Sequence, residues 1–180
     1  MGEFINRLFV STYVKVGTFT LVNGQKQGGN VATYFCQADG TVLHAVAGPV
    51  DGNSFLYEAR WIVNVHQRAS LEGRDDPGRY RQIMWEAHAD RLARDFGIPR
   101  KRVQAFHETT AEGDGGFADK GPLTKAKMDM LWMNRNHWDN RAQVHLLAAL
   151  FPCEKIEKVY QHVFERILKE KVSSLPVVEK

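Results

Sequence analysis

One segment limits the fold of this chain more than any other. Residues 31–65 read VATYFCQADGTVLHAVAGPVDGNSFLYEARWIVNV. Two runs rich in β-branched and aromatic residues, 31–36 and 41–46, flank Ala38-Asp39-Gly40, and Gly40 can supply the positive φ of a tight turn. The spacing predicts a β-hairpin. Gly48-Pro49 ends the second run. Asp51 or Ser54 then stands at the N-cap of a helix whose apolar positions are Phe55, Leu56, Ala59, Ile62 and Val63, with His66 continuing the stripe.

The flanking sequence is read around that unit. Residues 2–8 look like the last turns of a helix with Phe4, Ile5 and Leu8 on one side. Residues 9–16, FVSTYVKV, predict a strand with apolar side chains on both faces, as inside an α/β sheet. Residues 17–30 are a Gly-rich connection with turn signals at Asn23-Gly24 and Gly28-Gly29-Asn30. Glu72 to Gly78 is a charged break and marks a boundary. Beyond it the chain reads as helical. A helix over 79–96 ends at Gly97 and Pro99, a short buried one covers 141–151, and one over 154–171 carries Ile156, Val159, Tyr160, Val163, Phe164, Ile167 and Leu168. Between them lie a polar loop, Thr109 to Pro122, and the Met/Trp-rich stretch 123–140, which reads as core for the helical part.

The strand–ADG–strand–GPVD–helix run, preceded by FVSTYVKV, resembles the later half of the thioredoxin-like family over residues 2–66. The resemblance implies an α/β (α+β) fold: an incomplete thioredoxin-like sheet in residues 1–71, followed by an all-helical extension over 76–180. Family members open with a strand and a helix bearing Cys-x-x-Cys, and place a cis-proline before the third strand. Neither is present here. The position matching that proline is Val31, where a cis bond would cost about 2.5–4 kcal/mol over trans. Cys36 lies within the matching third strand and does not inherit a catalytic role. A sheet lacking its central opening strand leaves backbone groups unpaired. That points either to a start upstream of Met1 or to a rearranged small sheet covered by the C-terminal helices.

The chemistry-bearing residues are sparse. No catalytic motif is present: no Gly-x-Ser-x-Gly, no phosphate loop in GQKQGG, no zinc-hydrolase spacing. Of the two cysteines, Cys153 is the candidate reactive thiol, because it precedes a helix whose N-terminus can lower a thiol pKa; a packing role is the plainer reading. Of the seven histidines, His137 and His145 could share a helix but are too far apart for the usual chelating pair, and His44, His66, His88 and His107 stand singly on separate elements; they read as surface or hydrogen-bonded core residues, and no metal or cofactor is expected. Glu112, Asp114 and Asp119 miss the calcium-loop pattern.

A net charge of +3 with basic residues scattered among acidic ones argues against nucleic acid as the partner, since phosphate binding needs a concentrated basic face. No apolar run is long enough to span a bilayer. As written the chain reads as cytoplasmic; a signal peptide lost upstream would make it an exported protein. Two functions follow as expectations. The first is a non-catalytic thioredoxin-like domain acting through protein contacts. The second is the distal part of a thiol–disulfide oxidoreductase whose cysteines lie upstream of Met1.

Overall fold

A computed structural model of the chain describes residues 2–14, 19–28, 30–110 and 138–172. The fold is mixed α/β. In chain order the described elements are α1 (Gly2–Leu8), β1 (Phe19–Val22), β2 (Gln25–Gly28), β3 (Ala32–Cys36), β4 (Val42–Ala47), α2 (Gly52–Glu72), α3 (Pro77–Phe96), α4 (Arg100–Thr110), α5 (Asn140–Leu150) and α6 (Ile156–His162). A π-helical turn, Val163–Ile167, continues α6.

The expected hairpin forms. β3 and β4 pair antiparallel, and Gly40 in the connection has φ 81°. The register steps from Phe35↔His44 to Cys36↔Val42, which leaves Leu43 as an extra residue, a β-bulge. A bulge sends two successive side chains to the same face, so Leu43 and His44 both turn toward the side of Phe35. Lys155 pins the hairpin tip. Its Nζ donates to the Asp39 carboxylate at 2.6 Å, the Asp39 carbonyl at 3.0 Å and Thr41 Oγ1 at 3.0 Å.

Both hairpin faces are covered by helices. Phe35, Leu43 and Val46 pack with Ala59, Ile62, Val65 and Ala69 of α2 and with Ile83, Met84 and Ala87 of α3. Val42, Ala45 and Ala47 pack with Leu92 of α3, Val144, Leu146, Leu147 and Leu150 of α5, and Val159, Val163 and Phe164 beyond. Helix α3 therefore serves both clusters, and elements from either side of the 73–76 break share them. Asp51 caps α2 by accepting from the amides of Asn53 and Ser54. Asp76 caps α3, which closes at Gly97 with φ 65°.

Two expectations need amendment. Residues 9–14 belong to no strand, although FVSTYVKV has strong β-propensity. Phe9 reaches Phe35 at 5.5 Å between ring centroids, but Val10 is 99% exposed and Tyr13 70%. β-propensity reflects packing on a pleated neighbour, and among the described residues no strand pairs with this segment. The Gly-rich connection contains an unexpected second hairpin, β1–β2, turned at Asn23 (φ 52°) and Gly24 (φ 77°), two successive left-handed residues as a type I′ turn requires. Of the 123–140 stretch, only Trp138 onward lies within the described residues, and 111–122 of the polar loop lies outside them.

A buried histidine cluster as the candidate functional site

Three histidines from distant parts of the chain converge where the two hydrophobic clusters meet. His44 comes from β4, turned by the bulge onto the Phe35 side. His88 lies on α3 one turn beyond Met84, and His145 on α5 between Val144 and Leu146. All three are buried, with no more than 2% of their surface exposed, and one ring nitrogen from each lies within 4.8 Å of the others. His44 and His145 stack at 4.8 Å between centroids, and Trp61 of α2 meets His44, His88 and His145 edge-on at 5.0–5.2 Å.

Hydrogen bonding sets the tautomers. His88 Nε2 lies 3.0 Å from the Leu43 carbonyl, which can only accept, so Nε2 carries the proton and Nδ1 a lone pair. His145 Nδ1 lies 2.9 Å from His88 Nδ1, so it is the donor, and its own Nε2 is left a bare acceptor. That Nε2 is buried without a partner, as are both nitrogens of His44. Burial is the first cause that holds all three imidazoles below the ordinary histidine range, His88 down to about 3; the mutual proximity of His44, His88 and His145 adds to it for His88 and His145. At neutral pH the cluster is uncharged.

A buried ion pair walls one side. Glu58 of α2 accepts from Arg91 Nη2 at 2.7 Å, and Arg91 Nε donates to Asp95 at 2.6 Å. The Arg91 guanidinium also lies over the rings of Trp61 and Tyr57, at 4.8 and 5.0 Å. Burial by itself would raise the Glu58 carboxyl, but His44 and Arg91 outweigh it and hold the group ionised. Its second oxygen, Oε2, sits 3.3 Å from His44 Nε2, off the line of a well-formed hydrogen bond. On another side His44 borders a small apolar recess with Val42, Ala45, Val144, Leu147 and Phe151. Buried polar atoms in this number are costly unless partnered, which makes the seam the most chemically unusual place in the described fold.

The residues singled out from sequence lie elsewhere. Cys153 is half-buried in the turn between α5 and α6, with φ 64°, and burial pushes its thiol up to about 11. Cys36, at the end of β3, is likewise raised by burial and by nearby carboxylates. Both shifts oppose thiolate formation. Val31 is 64% exposed at the entry to β3, its carbonyl accepting from the Gly48 amide at 2.8 Å, and the described peptide bonds include no cis bond. His66 is a hydrogen-bonded residue, its Nδ1 2.7 Å from Tyr80 Oη. No family model, curated protein or solved structure matches the chain.

Proposed function

We propose that the protein works as a non-catalytic domain of thioredoxin-like ancestry that acts by contact with another protein. The observation that carries this reading is the segment Leu8–Val14. It runs across the surface outside any strand and exposes Leu8, Val10, Tyr13 and Val14 within seven residues. Single exposed apolar side chains are ordinary, but four within seven residues give this segment apolar surface of the kind that binds. The thiols support the same reading from the other side, since neither is poised for exchange at neutral pH.

The test has two arms on the purified chain. Turnover of a small-molecule disulfide should be no faster than with free cysteine, and a clearly faster rate would refute the non-catalytic reading. Cross-linking and capture of specific proteins should be lost when Val10 and Tyr13 are both changed to Ser; capture unaffected by that change would remove the segment from the argument.

A further inference from the structure

We infer that His44, His88 and His145 form a binding site for a single divalent transition-metal ion of the zinc or cobalt kind, buried at the seam between the two hydrophobic clusters. The inference is independent of the contact segment at Leu8–Val14. Neutral imidazole is a ligand suited to such ions, and three histidines are a sufficient protein donor set when one position is left to water or another small ligand.

The particular arrangement argues beyond mere proximity. A metal-binding histidine almost always offers its second nitrogen to a carboxylate or a backbone carbonyl, which fixes the ring and its tautomer. His88 does this through Nε2 to the Leu43 carbonyl at 3.0 Å, leaving Nδ1 as the donor. His44 places Nε2 3.3 Å from Glu58 Oε2, a contact that a small turn of the ring brings into line, again leaving Nδ1. His145 brings its Nδ1 to 2.9 Å from the Nδ1 of His88 and has no partner at Nε2. Two imidazole nitrogens on one tetrahedral ion at about 2.0–2.1 Å stand about 3.3 Å apart, so the His88–His145 pair need open by only a few tenths of an ångström.

Arg91, the cation packed against the cluster, is itself paired with Glu58 and Asp95, so its charge is offset where a metal would enter. Binding also answers the cost of the orphaned Nδ1 of His44, because a lone pair directed at an ion is no longer an unpaired buried acceptor.

The experiment uses the full chain, stripped of metal and titrated with Co²⁺ and then Zn²⁺, both added to the folded protein and present during refolding. The expected result is a visible cobalt absorption typical of four-coordinate nitrogen ligation that saturates at one equivalent and is displaced by zinc. His88→Gln and His145→Gln should each weaken binding on the order of 100-fold, while Glu58→Gln, which alters the partner shared by His44 and Arg91, should weaken it about 10- to 100-fold. His66→Gln, outside the cluster, should bind as the wild type does. X-ray absorption of the zinc-loaded wild type should count three imidazole ligands, a readout that stands even if a variant fails to fold. No saturable binding by the wild type, fewer than two imidazoles on the ion, or undiminished binding by folded His88→Gln and His145→Gln would overturn the assignment.

Discussion

Replacing Arg91 by Met tests whether the seam is as desolvated as its geometry indicates. Met keeps much of the stem that packs on Trp61 and Tyr57 but removes the donors to Glu58 and Asp95. The Glu58 side chain is 6% exposed, so no water replaces the lost guanidinium. Removing one member of a buried pair costs about 3–5 kcal/mol, because the remaining charge is stranded. Linkage caps the charged part of that cost. The stranded carboxyl can take up a proton instead, and protonating a group of ordinary pKa about 4.3 at pH 7 costs about 3.7 kcal/mol.

The sign then follows. In the variant the folded-state pKa of Glu58 is raised, so the penalty is greatest at neutral pH and fades as pH falls toward the unfolded value, reaching about 1 kcal/mol at pH 5. With a urea slope of about 2 kcal/mol per M, the midpoint should drop by about 1.5–2 M at pH 7. The gap between variant and wild type should narrow by more than half at pH 5. Urea unfolding followed by circular dichroism at the two pH values measures both. A gap under about 1 kcal/mol at pH 7, or one that does not change with pH, would show that Glu58 is solvated and the buried-pair argument wrong.

The histidines give a pH dependence of their own. Their folded-state pKa values lie below the unfolded one, so the native state binds fewer protons; stability is full above about pH 6.5 and falls as pH drops toward the folded value of about 3 for His88. Wild-type unfolding between pH 6.5 and 5 should lose up to about 1.4 kcal/mol per pH unit for each imidazole, and His145→Gln should flatten that slope; an unchanged slope in the variant would contradict the burial of His145. Gly73→Ala should destabilise by about 1–3 kcal/mol, because an added Cβ would lie 2.6 Å from the Tyr80 amide nitrogen and 2.9 Å from the Ala69 carbonyl. The backbone there has φ −109°, so the effect is steric, and thermal unfolding equal to wild type would show that the α2–α3 corner opens freely. Alkylation of Cys153 in the native chain at neutral pH should run at least about tenfold slower than for free cysteine, with the rate restored in urea; a rate above that of free cysteine would restore Cys153 as a reactive thiol.

How much of this was legible depended on how local each determinant is. Ala38-Asp39-Gly40 marks its turn within three residues, Asp51 caps a helix through amides two and three positions on, and Gly97 closes α3 where it stands. Sequence pattern reads such features directly. FVSTYVKV misleads because its propensity is local while a strand needs a hydrogen-bonded neighbour, and in the described fold none pairs with residues 9–14. The β1–β2 hairpin was half visible: Asn23-Gly24 named the turn, but QKQG has no alternation to name the strand.

The candidate site was hidden for a related physical reason. His44, His88 and His145 lie on one strand and two helices, so no spacing rule links them, and each taken singly is an ordinary core histidine. What they share is a setting. Each sits where its element is otherwise apolar, in VLHAVA, in the buried stripe Met84, Ala87, Leu92, and in QVHLLAAL. An isolated histidine in such a place must find a buried partner or lose the free energy of an unsatisfied polar group. Three elements each carrying one, on faces that must all turn to a common core, imply that the histidines partner one another. The bulge at Leu43 is the decisive local step, for in an unbroken register from Cys36↔Val42 His44 would fall opposite Tyr34, on the face away from Phe35. Deleting Leu43 keeps Phe35↔His44 and Cys36↔Val42 opposite one another, so His44 stays on the Phe35 side. The deletion removes the carbonyl that orients His88, however, and should loosen the site while leaving Gly40 to turn the hairpin. Loss of the cobalt spectrum with the helical content retained is the result that would tie the site to that one extra residue.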